Sequence, residues 1–244
     1  FRYSLRVAPA VEHNAGVSQT AREPNVDMQL RSVVDGLVNH TGAAIPRERL
    51  ATIVDELYDQ MAATASVKTY LPVLVGRAAL TQVRAEQIQA GEILKTQPEV
   101  LIVCQDNIGR SQAAAALFRY YAPGLVYVVS AGVAPKGHVL DEVTNGLAAH
   151  GVHLTDIPKK YSDEMLAVAD RLVVVGATTA GSLPVIDGQD RYEWRDISHL
   201  EGLSGAEVQQ VLIDIDQQVR ALLAEWFPDL DLGEPVMQQA PDFV

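Results

Sequence analysis

The stretch Glu99-Val-Leu-Ile-Val-Cys104-Gln-Asp-Asn-Ile-Gly-Arg110-Ser-Gln112 leaves this chain few ways to fold. Val100 to Val103 is a short apolar, β-branched run and predicts a buried strand. From Ser111 the chain is alanine-rich, with Leu117 and Phe118, and predicts a helix. The residues between turn the chain around, opening with the only cysteine and closing with Arg110. A thiol at the end of a strand, facing a helix amino terminus, sits at the positive end of the helix dipole, which favours the nucleophilic thiolate. Loop amides turned inward would form a nest for a tetrahedral oxyanion. Arg110 would add a planar fork for two of its oxygens. Gly109 suits a tight turn, Asn107 can brace the loop, and Ser111 can donate towards the sulfur. Cys104 is thus the candidate nucleophile, with Gln105, Asp106, Asn107, Ile108, Gly109 and Arg110 as the candidate cradle. Asp106 is an odd neighbour there, because its charge repels an oxyanion unless it points outward.

The chain on either side divides in two. From Asp27 to about Leu94 apolar residues recur at helical spacing: Leu30, Val33, Val34 and Leu37; then Leu50, Ile53, Val54, Leu57 and Met61. A third run, Leu71 to Ile93, puts Leu74, Ala78, Val83 and Ile88 inward. Residues 27–96 therefore predict a three-helix bundle, with a join at Gln97-Pro98. Residues 97–228 alternate strand and helix, with strands at Val100–Val103, Gly124–Ser130, Arg171–Gly176 and Arg191–Asp196. That alternation predicts a doubly wound parallel four-stranded α/β sheet with its ligand site at the strand carboxyl ends. Residues 1–26 read as an arm or a cloning remnant, and 229–244 as a loosely held acidic tail.

Composition narrows the partners. A net charge of −12 argues against a nucleic-acid surface or an anionic membrane face, so an anionic substrate must be held locally. One cysteine excludes an internal disulfide and a cysteine-based zinc site. Thiol chemistry fits a reducing cytoplasm. No apolar run is long enough to span a bilayer. No bound metal or cofactor is expected.

The Cys104 to Arg110-Ser111 pattern resembles the active-site loop of the low-molecular-weight protein tyrosine phosphatase superfamily. That superfamily holds phosphotyrosine hydrolysis and arsenate reduction. Gln112 leans to the arsenate reductases, where Arg-Ser-Gln is usual, as do Ser130-Ala-Gly132 and Gly151-Val-His-Leu-Thr155 followed by Pro158-Lys159-Lys160. The two lysines are expected to be solvated. The helical extension resembles that of actinobacterial arsenate reductases and reads as a dimerisation or docking module, a homodimer through it being one form; a helix-turn-helix DNA reader is the runner-up, which the acidic balance disfavours.

The resemblance implies that Cys104 attacks arsenate, that Arg110 and the loop hold it, and that Ser111 stabilises the thiolate. It also implies a general acid on the loop after the fourth strand, usually in an Asp-Pro context. Here that loop reads Trp194-Arg-Asp196-Ile-Ser-His199, and either Asp196 or His199 can be aligned to the acid. Resolving cysteines of some relatives would fall near Ala177 and Ser182, so the second thiol must be external: mycothiol with a mycoredoxin, or thioredoxin. Hydrolysis of phosphotyrosine or small phosphate esters is the alternative, and a single cysteine suits it. A binding protein that kept the loop without turnover is a third.

Overall fold

The computed structural model describes residues 22, 24–42, 44–65 and 68–238. Residues 1–21 of the expected arm and 239–244 of the expected tail lie outside them.

Three helices come first: α1 (Pro24–Thr41), α2 (Arg47–Thr64) and α3 (Leu71–Gln89). α1 begins at Pro24 rather than Asp27, because proline is tolerated where a helix amide has no partner. The Leu50, Ile53, Val54, Leu57 and Met61 stripe of α2 is buried against Leu30, Val34 and Leu37 of α1 and Val75, Ala78 and Val83 of α3. α3 stops at Gln89, short of Ile93, where Ala90 leads to a left-handed Gly91.

α3 belongs to two cores. Its first turns pack within the bundle, but Ala85 and Ile88 lie against the sheet with Leu101, Val103 and Met165. Arg84 donates to Glu99 Oε1 at 2.6 Å and lies 4.2 Å from the centroid of the Tyr127 ring. Burial still pushes the Glu99 carboxyl above the usual carboxylate range, against the pull of Arg84. Gln97-Pro98 is therefore a bend in the chain and not a seam in the packing.

The rest runs β1 (Glu99–Cys104), α4 (Arg110–Tyr121), β2 (Tyr127–Gly132), α5 (Asp141–Ala148), α6 (Asp163–Val168), β3 (Arg171–Val175), α7 (Ala177–Ser182), β4 (Asp190–Trp194) and α8 (Gly205–Trp226). The four strands are parallel in the order β2-β1-β3-β4, the doubly wound sheet expected. α4, α5 and α8 cover one face, and α3, α6 and α7 the other. The chain leaves β1 for β2 on one side and returns as β3 on the other. That switch opens a crevice at the carboxyl end of β1, where Cys104 is the last residue.

Several bounds differ from those read in the sequence. β2 starts at Tyr127, because Gly124 turns the chain at φ 77° on leaving α4. β4 ends at Trp194, which leaves Arg195 and Asp196 in the loop beyond. α7 was not expected, since Ala-Thr-Thr-Ala-Gly-Ser carries no apolar period. α8 opens on a capping box between Ser204 and Glu207. The tail up to residue 238 is not loose: Met237 is buried, and Arg220 donates to the carbonyls of Leu232 at 3.0 Å and Gly233 at 2.8 Å. Leu230, Leu232, Val236 and Met237 pack on the α4–α8 side of the sheet, an apolar content masked by the acidic residues between them. None of the described helices is long and apolar enough to cross a membrane.

Candidate active site

The loop between β1 and α4 is built with its carbonyls facing away from the sulfur. The carbonyls of Cys104, Gln105, Asp106 and Ile108 accept from the amides of Val133, Ala134, Lys136 and Leu140 at 3.1, 2.8, 3.0 and 2.9 Å. Asn107 O accepts from Gln112 Nε2 at 3.2 Å, and Gly109 O from the Ala113 amide at 2.8 Å. Fixing each carbonyl outward turns the neighbouring amides inward. The Asn107 amide donates to Cys104 Sγ at 3.3 Å. Those of Asp106, Ile108, Gly109 and Arg110 have no acceptor among the described residues. This is the concave, donor-rich nest that an oxyanion needs.

Asn107 is the keystone. It is the non-glycine residue with positive φ among those described, at 52°, a conformation asparagine tolerates better than most. Its Nδ2 donates to Ser111 Oγ at 2.8 Å, and its Oδ1 accepts from the Lys159 amide at 2.9 Å. With Asn107 donating to it, the Ser111 hydroxyl can turn its own hydrogen to Cys104 Sγ, 3.0 Å away, with Ala131 O at 3.4 Å as the more distant acceptor. Gly132 makes room for this: a Cβ there would lie 2.9 Å from Asn107 Cβ.

Arg110 is buried at the start of α4, with Nη1 donating to Ile197 O at 3.3 Å. Its guanidinium rests on Gly176, where a Cβ would come within 2.6 Å of Nη1. The loop after β4 roofs the site. Leu200 seats on Gly109, and His199 lines the same cavity as Cys104, Asp106, Ile108 and Arg110. That cavity is small, with room for about one water molecule. His199 Nε2 meets Asp106 Oδ2 at 2.7 Å, and the Glu201 amide donates to Nδ1 at 3.3 Å. The second contact makes Nδ1 an acceptor, which leaves the proton on Nε2, pointing at Asp106. Asp106 thus faces out of the nest and towards the roof.

Asp106, His199 and Glu201 bring their ligating atoms close enough for a metal ion. A cation is already there: Lys136 pairs with Glu201 and lies 3.9 Å from Asp106 Oδ2, and contact with Glu201 raises the Lys136 pKa above the usual lysine value. The trio is an ion-pair network.

Of the residues expected in the site, Cys104 to Ser111 come together and His199 joins them. Asp196 is exposed and does not line this cavity. Ala177 and Ser182 begin and end α7. Lys160 is exposed as expected, but Lys159 is buried with its amide on Asn107, because the chain must pass close behind the loop. Burial opposes ionisation of the neighbouring Asp156, yet Lys159 and Arg119 outweigh it and hold that carboxyl below its usual range. Gln112, Lys136, Gly176 and Leu200 were missed as site residues. Only Gln112 carried a signal, in its place beside Arg110-Ser111.

A lone thiol at the switch point of a parallel sheet, inside a nest of amides and beside a buried arginine, defines an α/β enzyme with a cysteine nucleophile and an oxyanion-binding loop. Residues 99–227 match the model of the low molecular weight phosphotyrosine protein phosphatases, and the chain belongs to that family. Among solved structures it is similar to the thioredoxin-dependent arsenate reductase Cg_ArsC1' of Corynebacterium glutamicum, at 28% identity and TM-score 0.71, over 80% of this chain and 95% of that one. An arsenate reductase from Archaeoglobus fulgidus is 26% identical over 51% of this chain and 98% of that one, with TM-score 0.45. A YwlE mutant from Bacillus subtilis is 20% identical over 53% of this chain and 99% of that one, with TM-score 0.50.

Proposed function

We propose that this enzyme reduces arsenate to arsenite with electrons from an external thiol. One observation carries the choice: the likeness to the Corynebacterium arsenate reductase spans 80% of the chain, so it takes in helices of the bundle as well as the phosphatase-like residues 99–227.

Arsenate binds to the loop amides and to the Arg110 guanidinium, which stabilise charge on its oxygens through the attack. Cys104 Sγ forms a bond to arsenic as an As–O bond breaks, and the oxygen leaves as hydroxide that takes its proton from solvent water, while the His199–Asp106 pair keeps that carboxylate turned away from the incoming anion. The Ser111 hydroxyl and the Asn107 amide hold the sulfur as the nucleophile beforehand. An external thiolate then attacks Sγ of the adduct. The electron pair of the S–As bond passes to arsenic, which leaves as arsenite, and Cys104 is left in a mixed disulfide. A second thiol restores Cys104. The 244 residues hold no other cysteine, so both reducing thiols come from outside: mycothiol with a mycoredoxin, or a thioredoxin.

The test compares arsenate-dependent thiol oxidation, with mycothiol plus mycoredoxin or with thioredoxin, against aryl phosphate hydrolysis, with Cys104→Ser as blank. Arsenate turnover without hydrolysis is the expected result. Hydrolysis without arsenate turnover would make the chain a phosphatase, and silence in both would make it an oxyanion binder.

A further inference from the structure

We propose that the helical bundle is part of the oxyanion-binding apparatus, and that Gly137 is the positioning residue through which it acts. The proposal rests on the reading of residues 104–110 as the oxyanion cradle. Four of the six donors that turn the loop carbonyls outward, the amides of Val133, Ala134, Lys136 and Leu140, come from one irregular segment, 133–140, which follows β2 and leaves the sheet. Past Gly132 no strand or helix of its own holds that segment in place. Its other side lies on the end of α2. A Cβ at Gly137 would lie 2.7 Å from Thr64 O and 3.4 Å from Ala65 Cα, a backbone-to-backbone contact open only to glycine. Met61, Leu74, Pro135 and Pro158 line the seam beside it.

A second stretch follows the same plan. Arg77 of α3 donates to Thr155 O at 2.8 Å, Ile157 packs into the core of the bundle, and the Lys159 amide then reaches Asn107 Oδ1 at 2.9 Å. Both pieces of backbone that shape the loop are thus anchored on the bundle. The first also carries Lys136, whose ammonium ties Glu201 and Asp106 beneath the roof. Moving 133–140 by the few tenths of an ångström that an added methyl demands would splay the carbonyls of Cys104, Gln105 and Asp106 together.

Gly137→Ala tests this, read by how strongly arsenate or inorganic phosphate protects Cys104 from iodoacetamide in the full chain. The expected result is a protecting concentration raised roughly five- to thirty-fold, with the arsenate KM raised alongside and kcat and the far-UV spectrum near wild type. Gly36→Ala, in the open middle of α1, should protect like wild type. Should Gly137→Ala fold poorly, Leu74→Ala trims the seam from the bundle side and should weaken protection in the same direction. Wild-type protection in Gly137→Ala, or a loss confined to the folded fraction with KM unchanged, overturns the proposal and leaves the cradle reading intact. If neither oxyanion protects the wild-type thiol, the cradle reading falls, and this proposal with it.

Discussion

The His199 Nε2 atom sits 2.7 Å from Asp106 Oδ2, which joins the roof of the site to the floor of its anion loop. The carboxylate fixes the imidazole tautomer and orients it above the cavity that holds Cys104. His199→Ala should therefore lower arsenate turnover by up to about 10²-fold, because Asp106, released from the imidazole, can turn its charge towards the anion loop. Asp196→Asn, at an exposed position outside the cavity, should change it less than about three-fold. Steady-state rates of the two variants check this, and equal losses would refute the assignment.

Gly176 shapes the other wall. Its φ of 98° is costly for any side chain, and a methyl there would meet Arg110 Nη1 at 2.6 Å. Gly176→Ala should lose roughly 1–3 kcal/mol of stability from backbone strain. It should also raise the arsenate concentration needed to saturate the enzyme by more than the stability loss explains, because the guanidinium must move. Denaturant melts beside a KM measurement separate the two effects.

Gln112 closes the loop from below. Its Nε2 donates to both Asn107 O and Asn107 Oδ1, at 3.2 and 3.3 Å, and neither acceptor is exposed. Gln112→Ala should cost about 1–2 kcal/mol in unfolding free energy. It should also slow alkylation of Cys104, since Asn107, once loosened, no longer holds its amide on the sulfur.

What the sequence disclosed, and what it hid, follows from range. Cys104, Asn107, Arg110 and Ser111 are neighbours along the chain, so their joint role could be read from one strand–turn–helix signal. The central strands were legible because burial on both faces makes Val100–Val103 and Leu172–Val175 continuous apolar runs. Partners far along the chain left no such mark. Nothing local tells that Gly137 meets Thr64, that Gly176 meets Arg110, or that Lys159 turns inward beside an exposed Lys160. α3 misled for a related reason: one helical stripe, from Val75 to Ile88, serves the bundle at one end and the sheet at the other. The tail misled through composition, because a few apolar residues spaced among acidic ones suffice to dock a strap.

That strap supplies a prediction with a pH sign. Tyr121 donates to Asp216 Oδ1 at 2.7 Å and accepts from the Val236 amide at 2.7 Å, so α4, α8 and the tail meet at one hydroxyl. Burial pushes the Tyr121 pKa up to about 12, which keeps that hydroxyl a donor at every working pH. Burial also pushes the Asp216 carboxyl above its usual range, against the opposing pull of the Tyr121 hydrogen bond, and Oδ2 has no partner among the described residues. A carboxyl with a raised folded-state pKa binds its proton more tightly when folded. Its effect is therefore to lose stability as pH rises from the ordinary carboxylate range through the raised value, and to change nothing more above it. Asp216→Asn keeps the acceptor for Tyr121 and removes the charge. The variant should match wild type below about pH 4 and exceed it by roughly 1 kcal/mol at pH 7. Urea melts across that interval measure the gap; a gap that widens towards acid would mean that the charge on Asp216 stabilises the fold.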